Sequence, residues 1–171
     1  GINFNATQII SPKFVDEFLN FRDSFTRHEL IRVLEVIARE PLNVDESLVQ
    51  RLNILHENGF SIALDDFGTG YSSLAYLTEY PIDILKIDRA FISKIGNAKQ
   101  DAIVNAMIAM GKTIGLKVVA EGVETEQQRD YLIRQNCDIL QGYLFAKPLT
   151  AVHATEYLQQ HTQLSTARYS I

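Results

Sequence analysis

Short apolar runs alternate along the whole chain with longer stretches of helical periodicity, and this alternation restricts the fold more than any other feature. The runs lie near residues 2–4, 31–37, 60–64, 84–87, 118–120 and 138–140. Valine, isoleucine and leucine dominate them, with little polar–apolar alternation, as in strands buried on both faces of a parallel sheet. Helix signatures lie between them. Ser11 caps a helix with Pro12 at its first position, and Phe14, Phe18, Leu19 and Phe25 follow. Asn43 or Asp45 caps a helix carrying Leu48, Leu52 and Leu55, with Gly59 just past its end. A third helix over 102–114 is closed by Gly115. Thr125-Glu126 opens a fourth through Leu132 and Ile133, and Thr150 a last one through Tyr157 and Leu158. The Phe14/Phe18/Phe25 stripe, Met107 and Met110 read as packing residues.

Strands alternating with helices imply crossover connections and a parallel sheet. An open doubly wound sheet and a (β/α)₈ barrel both satisfy the pattern. Six units in 171 residues is about 28 each, so eight would take about 230, close to the size typical of the barrel. A barrel would therefore be incomplete, with about six of eight βα units present, and the chain starts within an apparent strand. At 46% apolar and 22% charged residues it can bury a core, and disorder is excluded. The net charge of −5 argues against a protein that holds duplex nucleic acid by neutralising phosphates. It leaves open a nucleotide substrate held through a metal ion. No apolar run approaches the roughly 20 residues of a membrane span, and no leader pattern is visible, so a cytoplasmic chain, or the cytoplasmic part of a membrane-anchored protein, is expected, with no membrane contact by this segment. Cys137, alone, cannot form an internal disulfide.

Polar residues stand at the carboxyl ends of the runs: Asn3, Glu35, Asp65-Asp66, Lys86 with Asp88, Glu121 and Gln141. In a barrel these ends meet on one face, where active sites form. Acidic oxygens with one amide oxygen are the ligands of a hard cation such as Mg²⁺ or Mn²⁺, and the histidines are too scattered for zinc. Adjacent Asp65 and Asp66 suit a two-metal site, with one carboxylate bridging two ions, and such sites hydrolyse phosphodiesters. Lys86 would orient water or offset phosphate charge. Gly68 and Gly70 allow the segment after Asp66 to fold tightly over a ligand. The plainer alternatives are acids that only cap the next helix, a simple Lys86–Asp88 ion pair, and a plain turn after Asp66.

The string Leu64-Asp65-Asp66-Phe67-Gly68-Thr69-Gly70-Tyr71-Ser72-Ser73-Leu74 resembles the loop motif of the bacterial EAL domain family. So do Ile84-Leu85-Lys86-Ile87-Asp88, Val119-Ala120-Glu121-Gly122-Val123-Glu124-Thr125, and Gln141-Gly142-Tyr143-Leu144-Phe145 with Lys147-Pro148, in the family's order. The resemblance runs from residue 2 to about 160. It implies a TIM-like barrel and metal-dependent hydrolysis of cyclic di-GMP to linear pGpG. It also implies metal ligation by Asn3, Glu35, Asp65, Asp66 and Glu121. Lys86 and Glu121 take catalytic roles on this resemblance, with Asp88, Glu124, Gln141, Gly68, Gly70 and Pro148 binding substrate or supporting the site.

Two departures accompany the resemblance. The Glu-Ala-Leu signature is absent, so the chain matches the C-terminal three-quarters of the domain, with a core over 2–160 and a tail over 161–171. Ala38 stands where a second Glu normally braces the Asp-Asp loop, with Glu40 two residues on. Weak activity or none is therefore expected of the chain alone. The competing reading is an inactive module, derived from the same fold, that binds cyclic di-GMP or a protein. An unrelated metal-dependent barrel enzyme, such as an aldolase-like lyase, leaves the four motifs unexplained. Open sheet edges leave room for a homo-oligomer, and the family for an upstream sensor or GGDEF-type domain.

Overall fold

The computed structural model describes residues 2–23, 33–37, 46–69 and 74–165. Six strands, β1 (Ile2–Phe4), β2 (Val33–Ile37), β3 (Ser61–Phe67), β4 (Ile84–Ile87), β5 (Lys117–Glu121) and β6 (Ile139–Gln141), form one sheet in sequence order, every neighbouring pair parallel. The connections carry α1 (Ala6–Ile9), α2 (Phe14–Asp23), α3 (Glu46–Glu57), α4 (Tyr76–Glu79), α5 (Arg89–Ile92), α6 (Ala98–Thr113) and α7 (Glu126–Arg134), and α8 (Ala151–Ser165) follows β6. This is the expected incomplete (β/α) barrel: among the described residues the sheet is open, with β1 and β6 at its edges. No described helix is long and apolar enough to cross a membrane.

Several boundaries differ from the sequence expectations. Ser11 and Pro12 do not cap α2; residues 11–13 turn, with the Phe14 N–H bonded to the Ser11 carbonyl at 3.0 Å, and the helix starts at Phe14. Helix α6 starts four residues early because Asn97 caps it, accepting from the Lys99 and Gln100 amides. The polar start Ala98-Lys99-Gln100-Asp101 hides that turn from an apolar-period search. Helices α1, α4 and α5 are a single turn each, too short to show a 3.6-residue period. Gly59 and Gly115 adopt φ of +86° and +84°, the left-handed caps expected of them. Phe25, Ala38, Glu40, Asn43, Asp45 and Gly70 lie outside the described residues.

The two faces of the strands are what position the site. Leu34, Val36, Ile62, Leu64 and Leu85 pack with the first helices, joined by Phe14 and Phe18. Ile87, Val118 and Ala120 pack with Val104, Ile108 and Leu132 of α6 and α7. The residues between them form a separate small cluster, Ala63, Ile84 and Val119 with Val33 against it. That cluster is the inward layer of the curved sheet. Strand side chains alternate with period two. The residues two places on, Glu35, Asp65, Lys86 and Glu121, therefore share the inward face, one layer nearer the carboxyl ends.

The opposite end of the sheet is tied by two acids in equivalent places. Asp83, just before β4, accepts the Ile62 N–H at 2.8 Å and contacts His56 of α3 at 3.0 Å. Asp138, just before β6, accepts the Val118 N–H at 2.8 Å and pairs with Lys112 of α6. Burial alone would raise the Asp138 carboxyl, but Lys112 and the Val118 amide together hold it below its ordinary value. A carboxyl depressed by folding stabilises above its unfolded pKa, and that contribution is lost as pH falls through the folded one. Asp138→Ala is expected to cost about 1 kcal/mol in chemical denaturation at neutral pH, a gap that closes in acid.

Candidate active site

Lys86 is the hub of the inward face. Its Nζ bonds Glu35 Oε2 of β2, Asp65 Oδ1 of β3 at 3.0 Å and Glu121 Oε1 of β5 at 2.8 Å. The lysine is only 6% exposed and Asp65 8%. Three strands thus direct carboxylates at one ammonium projecting from a fourth. Asn3 of β1 sits opposite Glu35 in register. With its amide nitrogen turned inward it donates to Glu35 Oε2 and Asp65 Oδ2, each at 3.2 Å. With the oxygen inward, the amide adds one more oxygen beside two carboxylates.

Strict alternation would send Asp66 to the helix side. A bulge prevents this: Leu64 pairs with Leu85 and Phe67 with Ile87, so Asp65 and Asp66 together oppose Lys86 alone. Asp66 adopts φ +55°, a left-handed backbone that aspartate tolerates better than most residues, and its N–H bonds Asp65 Oδ1 at 2.9 Å. Both side chains consequently reach the rim. One carboxylate oxygen each from Asp65, Asp66 and Glu121 lie within 4.8 Å of one another.

Among the described residues, Lys86 bonds the carboxylates of Glu35, Asp65 and Glu121, with Asp66 beside them. Burial works to strip the Lys86 proton, yet hydrogen bonds to Glu121, Glu35 and Asp65 outweigh it and hold the pKa above its ordinary value. Glu121 goes the other way: burial pushes its carboxyl up, Lys86 pulls it down, and the neighbouring Asp65 and Glu35 charges add to the rise. The donor set fits a hard divalent cation. Such ions take carboxylate and amide oxygens at about 2.0–2.6 Å, so oxygens on opposite sides of one ion stand about 4–5 Å apart. The Asp65, Asp66 and Glu121 oxygens, all within 4.8 Å of one another, are close enough together for one such ion to reach all three.

The remaining candidates occupy other places. Asp88 forms no Lys86 pair; it caps α5, accepting the Ala90 N–H at 2.7 Å. Glu124 leaves the acidic cluster and pairs with Arg89 at 2.9 Å. Gln141 is level with Glu121 in register and lines, with Arg89, Glu121, Glu124 and Tyr143, a cleft of about 240 Å³ beside the acids. Gly68, at φ +92°, faces away from the rim: a Cβ there would come within 2.7 Å of Met107 and 2.8 Å of Phe91. The missing side chain lets the turn after Asp66 pack directly on Phe91 of α5 and Met107 of α6. Pro148 lies exposed in the connection from β6 to α8. Sequence alone did not single out Arg89. Its only signal is a position three residues after Lys86, matching Glu124 three residues after Glu121.

The EAL domain family matches residues 1–148 of the chain. The chain belongs to that family. Over 153 residues it is 58% identical to the probable cyclic di-GMP phosphodiesterase PdeG of Escherichia coli, covering 89% of this chain and 30% of PdeG. It spans less than half the length of the first curated relatives it matches. The crystal structure of the EAL domain of Mycobacterium smegmatis DcpA superposes with a TM-score of 0.86 at 37% identity, covering 93% of this chain and 72% of that one. The manganese and cyclic di-GMP complex of Klebsiella pneumoniae BlrP1 superposes at 0.74 with 28% identity, covering 86% and 38%. An EAL domain is thus the frame in which the Lys86 cluster sits.

Proposed function

We propose that this EAL chain carries the metal-dependent site of a cyclic di-GMP phosphodiesterase, which opens the cyclic dinucleotide to linear pGpG. The gathering of Glu35, Asp65 and Glu121 around Lys86 at the carboxyl ends of parallel strands carries the reading. The similarity to PdeG and to the BlrP1 complex supports the substrate and a divalent ion. In this reading Asn3, Glu35, Asp65, Asp66 and Glu121 hold two Mg²⁺ or Mn²⁺ ions. When bound, the ions supply Lewis acidity at the phosphodiester and lower the pKa of a water.

The chain's own groups do the rest. Lys86, kept protonated by three carboxylates, is a hydrogen-bond donor and not a base, so its part is to hold the attacking water or the phosphate oxygen. Glu121, beside Lys86 at the rim, is the carboxylate placed to take the proton that the water gives up. Water adds across one P–O bond of the ring: the phosphorus gains the hydroxyl and the departing ribose oxygen regains a proton. Gln141, Glu124 and Tyr143 line the space where a nucleotide would extend from that phosphate. Asp88 and Gly68 support the site by capping α5 and by seating the turn after Asp66 on Phe91 and Met107, while Gly70 and Pro148 are assigned to it on the family motifs alone. The domain core runs over 2–160, with α8 continuing from it to Ser165, in a cytoplasmic protein in which a second copy or a sensor or GGDEF-type domain is the expected partner.

Incubating the chain with Mn²⁺ and cyclic di-GMP and resolving nucleotides by chromatography tests this, with slow formation of pGpG the expected result. Ala38, in place of the brace glutamate, favours one other reading, a binding module without turnover. Calorimetric binding of cyclic di-GMP with no product would establish that module. Failure to bind either Mn²⁺ or the dinucleotide would refute both.

A further inference from the structure

The segment after Lys86 and the segment after Glu121 are joined at three levels. Lys86 meets Glu121 at 2.8 Å, Arg89 meets Glu124 at 2.9 Å, and Gln128 Nε2 donates to the Ile92 carbonyl at 3.3 Å. The middle contact is exposed, its side chains 62% and 42% accessible, and solvent screens it, so it contributes little. The third is buried: Gln128 is 8% exposed and Ile92 fully covered. Gln128 also accepts, through Oε1, the N–H of Glu124 at 2.8 Å and of Thr125 at 3.0 Å. One side chain therefore fixes the end of the β5–α7 loop and fastens it to α5. Gly122, at φ +69°, permits the close approach, since a Cβ there would overlap the Arg89 side chain.

We infer that Gln128 is a positioning residue for Glu121, holding the loop that sets this carboxylate against Lys86 and the metal-binding oxygens. The inference rests on the metal reading above. Residues behind a metal ligand that fix its orientation typically alter affinity when removed, by about 10–100-fold. Gln128→Met keeps the side-chain length and removes all three hydrogen bonds. It is expected to weaken Mn²⁺ binding about tenfold, followed by the electron-paramagnetic signal of free Mn²⁺. Asp138→Ala, at the other end of the sheet, lowers stability as well but is expected to leave Mn²⁺ affinity within about twofold.

If Gln128→Met does not fold, Gln128→Glu serves. It retains the acceptor toward Glu124 and Thr125 and loses the donor to Ile92, so an intermediate loss is expected. A Gln128 variant that melts earlier yet binds Mn²⁺ as tightly as the unsubstituted chain would reduce Gln128 to a purely structural part and overturn the inference. Absence of Mn²⁺ binding in the unsubstituted chain would overturn the metal reading itself, a result distinct from the first.

Discussion

Asp65→Asn is expected to weaken Mn²⁺ binding by at least about a hundredfold, and cyclic di-GMP hydrolysis with it. Asp65 is the acid at the centre of the arrangement. It bonds Lys86, accepts the Asp66 N–H, faces Asn3 and stands within reach of Glu121. Asparagine keeps the shape and one acceptor oxygen but removes the charge that a hard cation needs. The fold should not suffer, because asparagine keeps the shape of the side chain and Lys86 keeps its bonds to Glu35 and Glu121. Thermal melting of the metal-free variant is therefore expected within a few degrees of the unsubstituted chain. A variant that binds Mn²⁺ normally would remove Asp65 from the ligand set.

Lys86→Met is expected to act mainly on stability. It leaves buried Asp65 and part-buried Glu35 and Glu121 without their shared ammonium, and breaking a buried pair by removing one partner costs about 3–5 kcal/mol. At this chain length that lowers Tm by roughly 6–20 °C. The pH dependence follows from Glu121, whose pKa burial already raises in the folded state. An acid with a raised folded pKa binds its proton more tightly when folded, so stability rises as pH falls through that folded value. Without Lys86 the rise is larger, and the variant is expected to recover part of its lost Tm on moving from neutral to mildly acidic buffer. A Tm loss that stays constant across that range would show that the three acids do not bear the cost.

The parallel sheet is legible in the sequence because both faces of each strand are buried, which leaves continuous apolar runs. The same property conceals which face is inward. Val33, Ala63, Ile84 and Val119 look no different in the sequence from Leu34, Ile62, Leu85 and Val118, yet only the first set shares the face of Glu35, Asp65, Lys86 and Glu121. The polar residues were found because an acid or lysine is conspicuous at a strand end. The bulge at Asp65-Asp66 was not, since it exists only relative to the register of β4. Gln128 was likewise hidden: its Thr125-x-x-Gln128 spacing announces a helix cap, and nothing local reveals that the same amide reaches Ile92.

The contacts of Lys86 span the chain from Glu35, 51 residues earlier, to Glu121. No hairpin or single βα unit can assemble them, and each strand brings its charge only once it has docked. Non-local pairing of this kind slows folding, and the last acid to arrive meets the repulsion of those already seated. On the metal reading, an ion captured at the rim during refolding offsets that repulsion, so the rate at which the chain reaches its native form should climb with divalent-ion concentration.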